Sequence, residues 1–282
     1  MTGLVLAVAL LVGGPEADTT VTLREGDEVV VQNLTGELIV EAWSRSELRV
    51  TGEGGDEVDV VVQRSGSRVV IRPNDRRGRR SADVTLRLPP WVELEIGSMR
   101  LDVTVEGMQA GVRVENVEGD IEVTGTSGPL DLTTVTGEVG VEDVRGNVRV
   151  NAQADAVRLE DITGDVWVTA GSGDVDLISI EGAEVFAETV SGDVTFVGRL
   201  QAGGTYQFST HSGDASVTVP RDVSARVSVS TFDGEFDSDF PVRVQGYSGG
   251  RTFDFVLADG AASLSIQVFD GEIHLREGRG TR

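Results

Sequence analysis

The sequence predicts an all-β protein, a single-domain β-solenoid of the parallel β-helix or β-roll type with about 18–21 residues per coil. Three observations lead there. The 282 residues include 36 Gly and, by count, 46 Val, a composition of short strands joined by tight turns. A nine-residue pattern recurs from residue 114 to residue 185. No segment carries the 3.6-residue apolar period of an amphipathic helix.

The elements follow in chain order. Leu4 to Val12 is an apolar run, too short for a membrane span of about 20 residues. Followed by Gly13, Gly14 and Pro15, it reads as the core of a secretory leader over residues 1–17, with Ala17 as the cleavage position. The leading Met1-Thr2-Gly3 lacks the Arg or Lys expected there, and a first strand is the other reading. Residues 18–282 are expected to form the single domain. Its first part, TVTLREGDEVVVQNLTGELIVEAW, SELRVTGE, DEVDVVVQ, SRVVIRP and SADVTLRLPPWVELEIG, alternates or runs apolar as strands do. Residues 73–82 form a polar loop.

From Val114 the blocks are VENVEGDIE, VTGTSGPLD, LTTVTGEVG, VEDVRGNVR, VNAQADAVR, LEDITGDVW, VTAGSGDVD and LISIEGAEV. Place one is apolar throughout: Val114, Val123, Leu132, Val141, Val150, Leu159, Val168 and Leu177. Place eight is apolar at Ile121, Leu130, Val139, Val148, Val157, Val166 and Val175. These places lie two apart and share one face of a strand, while place nine between them points outward. Place six is Gly in every block but one, where Asp155 stands. Place four, Val117, Val135, Val144, Ile162 and Ile180, breaks the period of two, so the chain bends there and Gly opens a corner. An antiparallel meander needs longer unbroken alternation, so the solenoid is the better fit. After Phe186 the coil widens, because Gly192-Asp193, Gly213-Asp214 and Gly234-Glu235 lie 21 apart.

Charge and composition exclude several functions. Acidic residues number 47 against 24 basic ones, a net charge of −23, which repels nucleic acid and anionic membranes. Without Cys there is no disulfide framework, thiolate catalysis or Cys-ligated zinc. Aromatics make up 5%, so an aliphatic core is expected.

The phrases VQNLTGELIVEAWSRSELRV, VSGDV at 190–194, HSGDASVTVPRDVSARVSVSTFDGEF at 211–236 and VFDGEIHLREG near the end are similar to the bacterial "putative adhesin" β-strand-repeat proteins. The resemblance runs from about residue 20 to residue 277. It implies an exported solenoid of adhesin-like type with no established activity, and it transfers no functional residue.

Four constellations could carry chemistry. Asp120, Glu138, Asp165, Asp174, Asp193, Asp214, Glu235 and Glu272 each follow a corner Gly and would stack into lines. They are expected to be solvated corners, with calcium sites as the sharper alternative. Pro129, Asn147 and Ala156 interrupt these lines, and the G-x-D spacing of calcium β-rolls is missing. Trp167 is expected above Arg149, itself above Asp131: an exposed stack, or a sugar platform. Trp43 and Trp91 read as capping or core residues, and His211 and His274 as surface strand or turn. The cluster RRGRR at 76–80 is the one concentration of positive charge. No catalytic or phosphate-binding motif stands out, so catalytic, cofactor and metal residues are all expected to be none. The expected function is a non-enzymatic, extracytoplasmic adhesin-like scaffold or binding protein of the bacterial envelope, whose partner is an envelope protein or polysaccharide. The alternatives are a polysaccharide-acting solenoid enzyme, supported by a groove of converging Asp, Arg and His, and a calcium-stiffened surface repeat.

Overall fold

In the computed structural model the described residues are 8–12, 18–53, 60–74, 83–242 and 251–278. All regular elements among them are β-strands. The chain divides into two compact units, Met1–Gly137 and Glu138–Arg282, each built as a β-solenoid.

The first unit holds β1 (Val8–Val12), β2 (Asp18–Thr22), β3 (Glu28–Gln32), β4 (Thr35–Ala42), β5 (Glu47–Glu53), β6 (Val60–Ser65), β7 (Arg68–Pro73), β8 (Asp83–Leu88), β9 (Glu93–Gly97), β10 (Arg100–Glu106), β11 (Val112–Glu115), β12 (Ile121–Thr124) and β13 (Leu130–Thr134). One sheet runs β1-β6-β7-β3-β9-β11-β13 and the other β2-β5-β8-β4-β10-β12. Four pairs are antiparallel: β1–β6, β6–β7, β2–β5 and β5–β8. The β3, β4 and β9–β13 ladders are parallel. The apolar run at Val8–Val12 thus lies as an edge strand on β6, while Ala17 is outside the described residues.

The second unit holds β14 (Val139–Arg145), β15 (Val148–Ala152), β16 (Val157–Thr163), β17 (Val166–Ser172), β18 (Val175–Glu181), β19 (Glu184–Ser191), β20 (Val194–Gly198), β21 (Thr205–Ser212), β22 (Ala215–Pro220), β23 (Ala225–Asp233), β24 (Phe236–Ser238), β25 (Arg251–Leu257), β26 (Ala262–Asp270) and β27 (Ile273–Gly278). From β14 to β25 consecutive strands alternate between two sheets, β15-β17-β19-β21-β26-β23-β25 and β14-β16-β18-β20-β22-β27-β24, and β26 follows β25 in the same sheet. The ladders among these strands run parallel, and β23–β25 is antiparallel. Val139 pairs with Val157, Val166 with Val185 and Val185 with Tyr206, so a coil takes 18, then 19, then 21 residues.

The coils do not stack in sequence order at two points. In the first unit β3 and β4 lie between β7–β8 and β9–β10; in the second, β26 and β27 lie between β21–β22 and β23–β24. The sequence, read as one coil upon the next, shows neither insertion. Each follows from a strand that turns back: β25 runs antiparallel on β23 and returns the chain in register beside β21.

The interior is the predicted ladder. Every residue at place one is buried, and so is every apolar residue at place eight. Place four divides into two classes. Val117 and Val135 are exposed, whereas Val144, Ile162 and Ile180 are fully buried. The residue before each of the latter three, Asp143, Asp161 and Ser179, is left-handed with φ of 49°, 54° and 56°. This inserts a bulge, so two successive side chains point out and the third returns to the core. The wider coils take aromatics into an otherwise aliphatic interior: Phe196 packs 5.9 Å from Tyr206 and 5.0 Å from Phe208. Tyr206 Oη donates to the Gly182 carbonyl at 2.7 Å and accepts from the Gln201 N–H at 2.7 Å, which satisfies a buried hydroxyl.

Candidate functional site

The acidic corners have a local cause. At Gly213 φ is +143°, a conformation open to Gly, and the next residue presents its N–H along the stack. The aspartate one coil away has the reach to accept it. Asp174 Oδ1 accepts from the Asp193 N–H at 2.9 Å, Asp193 Oδ1 from Asp214 at 2.7 Å, and Asp214 Oδ1 from Glu272 at 2.7 Å. On the opposite corner line Asn147 Oδ1 accepts from the Asp165 N–H, and Asp165 Oδ1 from the N–H groups of Ala183 and Glu184. In the first unit Asp102 Oδ1 accepts from the Asp120 N–H. Thr189 and Thr210 donate from the interior to the Gly173 and Gly192 carbonyls. The corner therefore asks for an acceptor oxygen and not for a charge, which is why Asn147 fits a line otherwise made of acids. Sequence reasoning counted Asn147 as an interruption and passed over Asp102. Among the described residues no three His, Asp or Glu side chains gather as a cation site.

The bulges at Asp143, Asp161 and Ser179 build a second feature. They border a groove of about 520 Å³ lined by Asp143, Arg145, Asp161, Ile180, Arg199 and Pro220, among others. Its walls come from β14, β16, β18, β20, β22 and β27, neighbours in one sheet. At about 4.8 Å per strand it runs along the stack for roughly 24 Å. That length suits an extended chain, and the mixture of Asp, Arg, Thr and exposed Val197 suits a hydroxyl-rich one.

His274 does not lie in that groove. It sits in β27 with Nε2 3.4 Å from Glu272 Oε2 and Nδ1 3.1 Å from Arg276 Nη2. An arginine can only donate, so Nδ1 is the acceptor and Nε2 carries the proton toward Glu272. Both ring nitrogens are engaged, leaving no lone pair for a substrate. Arg276 also donates to Asp237 at 2.7 Å. That hydrogen bond holds the Asp237 carboxyl below the usual range and raises Arg276.

Trp167 is half-buried, with the Arg149 guanidinium 5.4 Å from its ring centroid. Phe186 is its register neighbour on the other side, so the ring has a strand neighbour on both. Asp131, in the first unit, pairs with Arg113 at 3.4 Å. Trp43 and Trp91 are both half-buried and not core; Trp43 Nε1 donates to the Glu47 carbonyl and Arg45 lies over its ring at 5.0 Å. His211 is exposed in β21, stacked on Phe269 at 4.6 Å. The arginine cluster at 76–80 lies outside the described residues.

The corner cadence and the two-sheet coil are diagnostic. The family described as Toastrack DUF4097 matches residues 17–276. The chain belongs to the Toastrack DUF4097 family. Among solved structures, this Toastrack chain is similar to a protein of Parabacteroides distasonis named a "putative lipid binding protein", at 11% identity and a TM-score of 0.50, covering 93% of this chain and 97% of that one. A "putative adhesin" from Bacteroides fragilis is 11% identical with a TM-score of 0.46, covering 92% and 96%. A second "putative adhesin" of P. distasonis is 8% identical with a TM-score of 0.42, covering 93% and 97%. The comparison with curated proteins gives no match.

Proposed function

We propose that this Toastrack protein is a non-enzymatic, adhesin-like binding scaffold of the bacterial envelope, working outside the cytoplasm. The observation that carries the reading is the groove along β14–β27, whose roughly 24 Å would hold several units of an envelope polysaccharide between Asp143, Asp161 and Arg145. Two further facts support binding over catalysis. The corner carboxylates already accept backbone hydrogen bonds, and His274 has both nitrogens engaged.

The test is co-sedimentation of the full chain with purified peptidoglycan and with insoluble cell-envelope polysaccharide, followed by a reducing-end assay on the supernatant. Saturable binding that weakens several-fold in Arg145→Glu, without new reducing ends, supports the scaffold. Release of reducing ends makes the protein a polysaccharide-acting enzyme, and binding unchanged by Arg145→Glu removes the groove as the site.

A further inference from the structure

The outward face of the second unit carries a row of side chains that neither the corners nor the groove uses. Val190, His211, Phe269 and Phe232 stand at equivalent positions of β19, β21, β26 and β23. They follow the matched residues Thr189, Thr210, Val268 and Thr231 and precede Ser191, Ser212, Asp270 and Asp233. The rings are stacked, His211 on Phe269 at 4.6 Å and Phe269 on Phe232 at 4.7 Å with only 3° between the latter planes. Phe232 ends the stack and is 72% exposed, and Val190 at the other end is 54% exposed. An apolar row of this kind in water marks a contact surface.

Its surroundings define the partner. Asp233 and Asp270 are paired in register and exposed, and like charges directly opposite one another repel. Neither carboxylate has a cation among the described residues. The shallow groove of about 340 Å³ beside the rings includes Glu188 in its lining. Elsewhere the same molecule shows what its outward aromatics take: Arg149 lies over Trp167 and Arg45 over Trp43. Phe232 has no such arginine among the described residues.

We propose that the Val190–His211–Phe269–Phe232 row is a docking site for an arginine-bearing segment of a partner protein. The guanidinium lies on the open face of Phe232 and pairs with Asp233 and Asp270. A guanidinium is planar, weakly hydrated and forked, so it stacks on a ring and meets carboxylates at once; a lysine ammonium is more strongly hydrated, cannot stack flat and takes the ring face less often. The net charge of −23 draws cationic segments toward the surface, and the ring selects among them.

The experiment uses the full chain and two blocked pentapeptides of equal charge, Gly-Arg-Gly-Arg-Gly and Gly-Lys-Gly-Lys-Gly, titrated by calorimetry at physiological salt. The arginine peptide is expected to bind several-fold more tightly than the lysine peptide. Phe232→Ala should weaken it by about 5-fold and erase the preference, with an unchanged melting midpoint because the side chain is exposed. The double change Asp233→Asn with Asp270→Asn should weaken both peptides. Equal binding of the two peptides, or a preference that survives Phe232→Ala, overturns the proposal. So does a concentration-dependent dimer lost in Phe232→Ala, which would give the row to a second copy. Tighter Phe232-dependent binding of a chitosan oligomer would give it to a polysaccharide and overturn the proposal as well.

Discussion

Replacing Gly213 with Ala tests how tightly the corners stack. A Cβ at that position would meet the Gly192 carbonyl oxygen first, and would lie 2.6 Å from that carbonyl's carbon and 2.9 Å from Asp193 Oδ1, where ordinary contact begins at 3.4 Å. Relief requires the two coils to separate locally by about an ångström or more. Their spacing is held by the hydrogen bonds from the Gly192 N–H to the Ser212 carbonyl and from the Val194 N–H to the Asp214 carbonyl, both 2.9 Å. Stretching both loses about 1 kcal/mol each, and the left-handed backbone adds about 1–2 kcal/mol for any residue with a Cβ. The expected cost is about 3–4 kcal/mol. Gly203→Ala is the control, since φ there is +82° with no atom within 4 Å; it should cost only the backbone part, about 1–2 kcal/mol. Urea denaturation followed by circular dichroism reads both midpoints, with the slope checked for constancy. If the two variants lose equal stability, the corners are not in repulsive contact distance and the stacking argument fails.

Four other outcomes are expected. Val148→Asp places a carboxylate in the sealed interior and should cost several kcal/mol, whereas Arg149→Ala on the outer face should cost less than about 1 kcal/mol; equal losses in thermal melts would invert the register. Asp193→Ala should cost about 1 kcal/mol by leaving the Asp214 N–H to water, while Asp193→Asn, which keeps the acceptor oxygen, should be close to neutral. Burial pushes the Tyr206 hydroxyl above its ordinary value. Its stabilisation is therefore complete below about pH 10 and lost as pH rises through the higher folded value; Tyr206→Phe should flatten that alkaline decline in a stability–pH series. The Asp237 carboxyl should titrate below a normal aspartate by NMR and move up in Arg276→Gln, because the Arg276 hydrogen bond is the main cause of its shift.

Which parts were legible in the sequence follows from what the residues encode locally. Places one and eight are a two-residue period, a direct print of which side chains enter the core, and their burial matches it position by position. Place four was legible only as a break. The distinction between exposed Val117 and buried Val144 depends on whether the preceding backbone is left-handed, as at Asp143. The signal was available: place three alternates between Asn116, Thr134, Ala152 and Ala170 in one set of blocks and Gly125, Asp143, Asp161 and Ser179 in the other. The acids at the corners were visible as a line, but their acceptor role depends on the neighbouring coil's N–H, which one coil's sequence does not contain. The aromatic row was invisible for a further reason. Phe232 and Phe269 are 37 residues apart in the chain and become neighbours only because β26 inserts beside β23.

That insertion also sets a timetable. Tyr206 meets Leu264 across the ladder, a separation of 58 residues, where the regular coils close after 18. A solenoid built strictly in order can zip from its first coil to its last as the chain is delivered. Here β21 and β22 wait with one edge each unpaired until β26 and β27 arrive, and before that β23 has only the antiparallel β25 beside it and β24 has no ladder partner. The last-made coil is a keystone: the second unit closes only when nearly all of its chain is present. A pairing across so long a stretch of chain is slow to find, so closing β26 and β27 into the stack is expected to be the late step in the folding of the second unit.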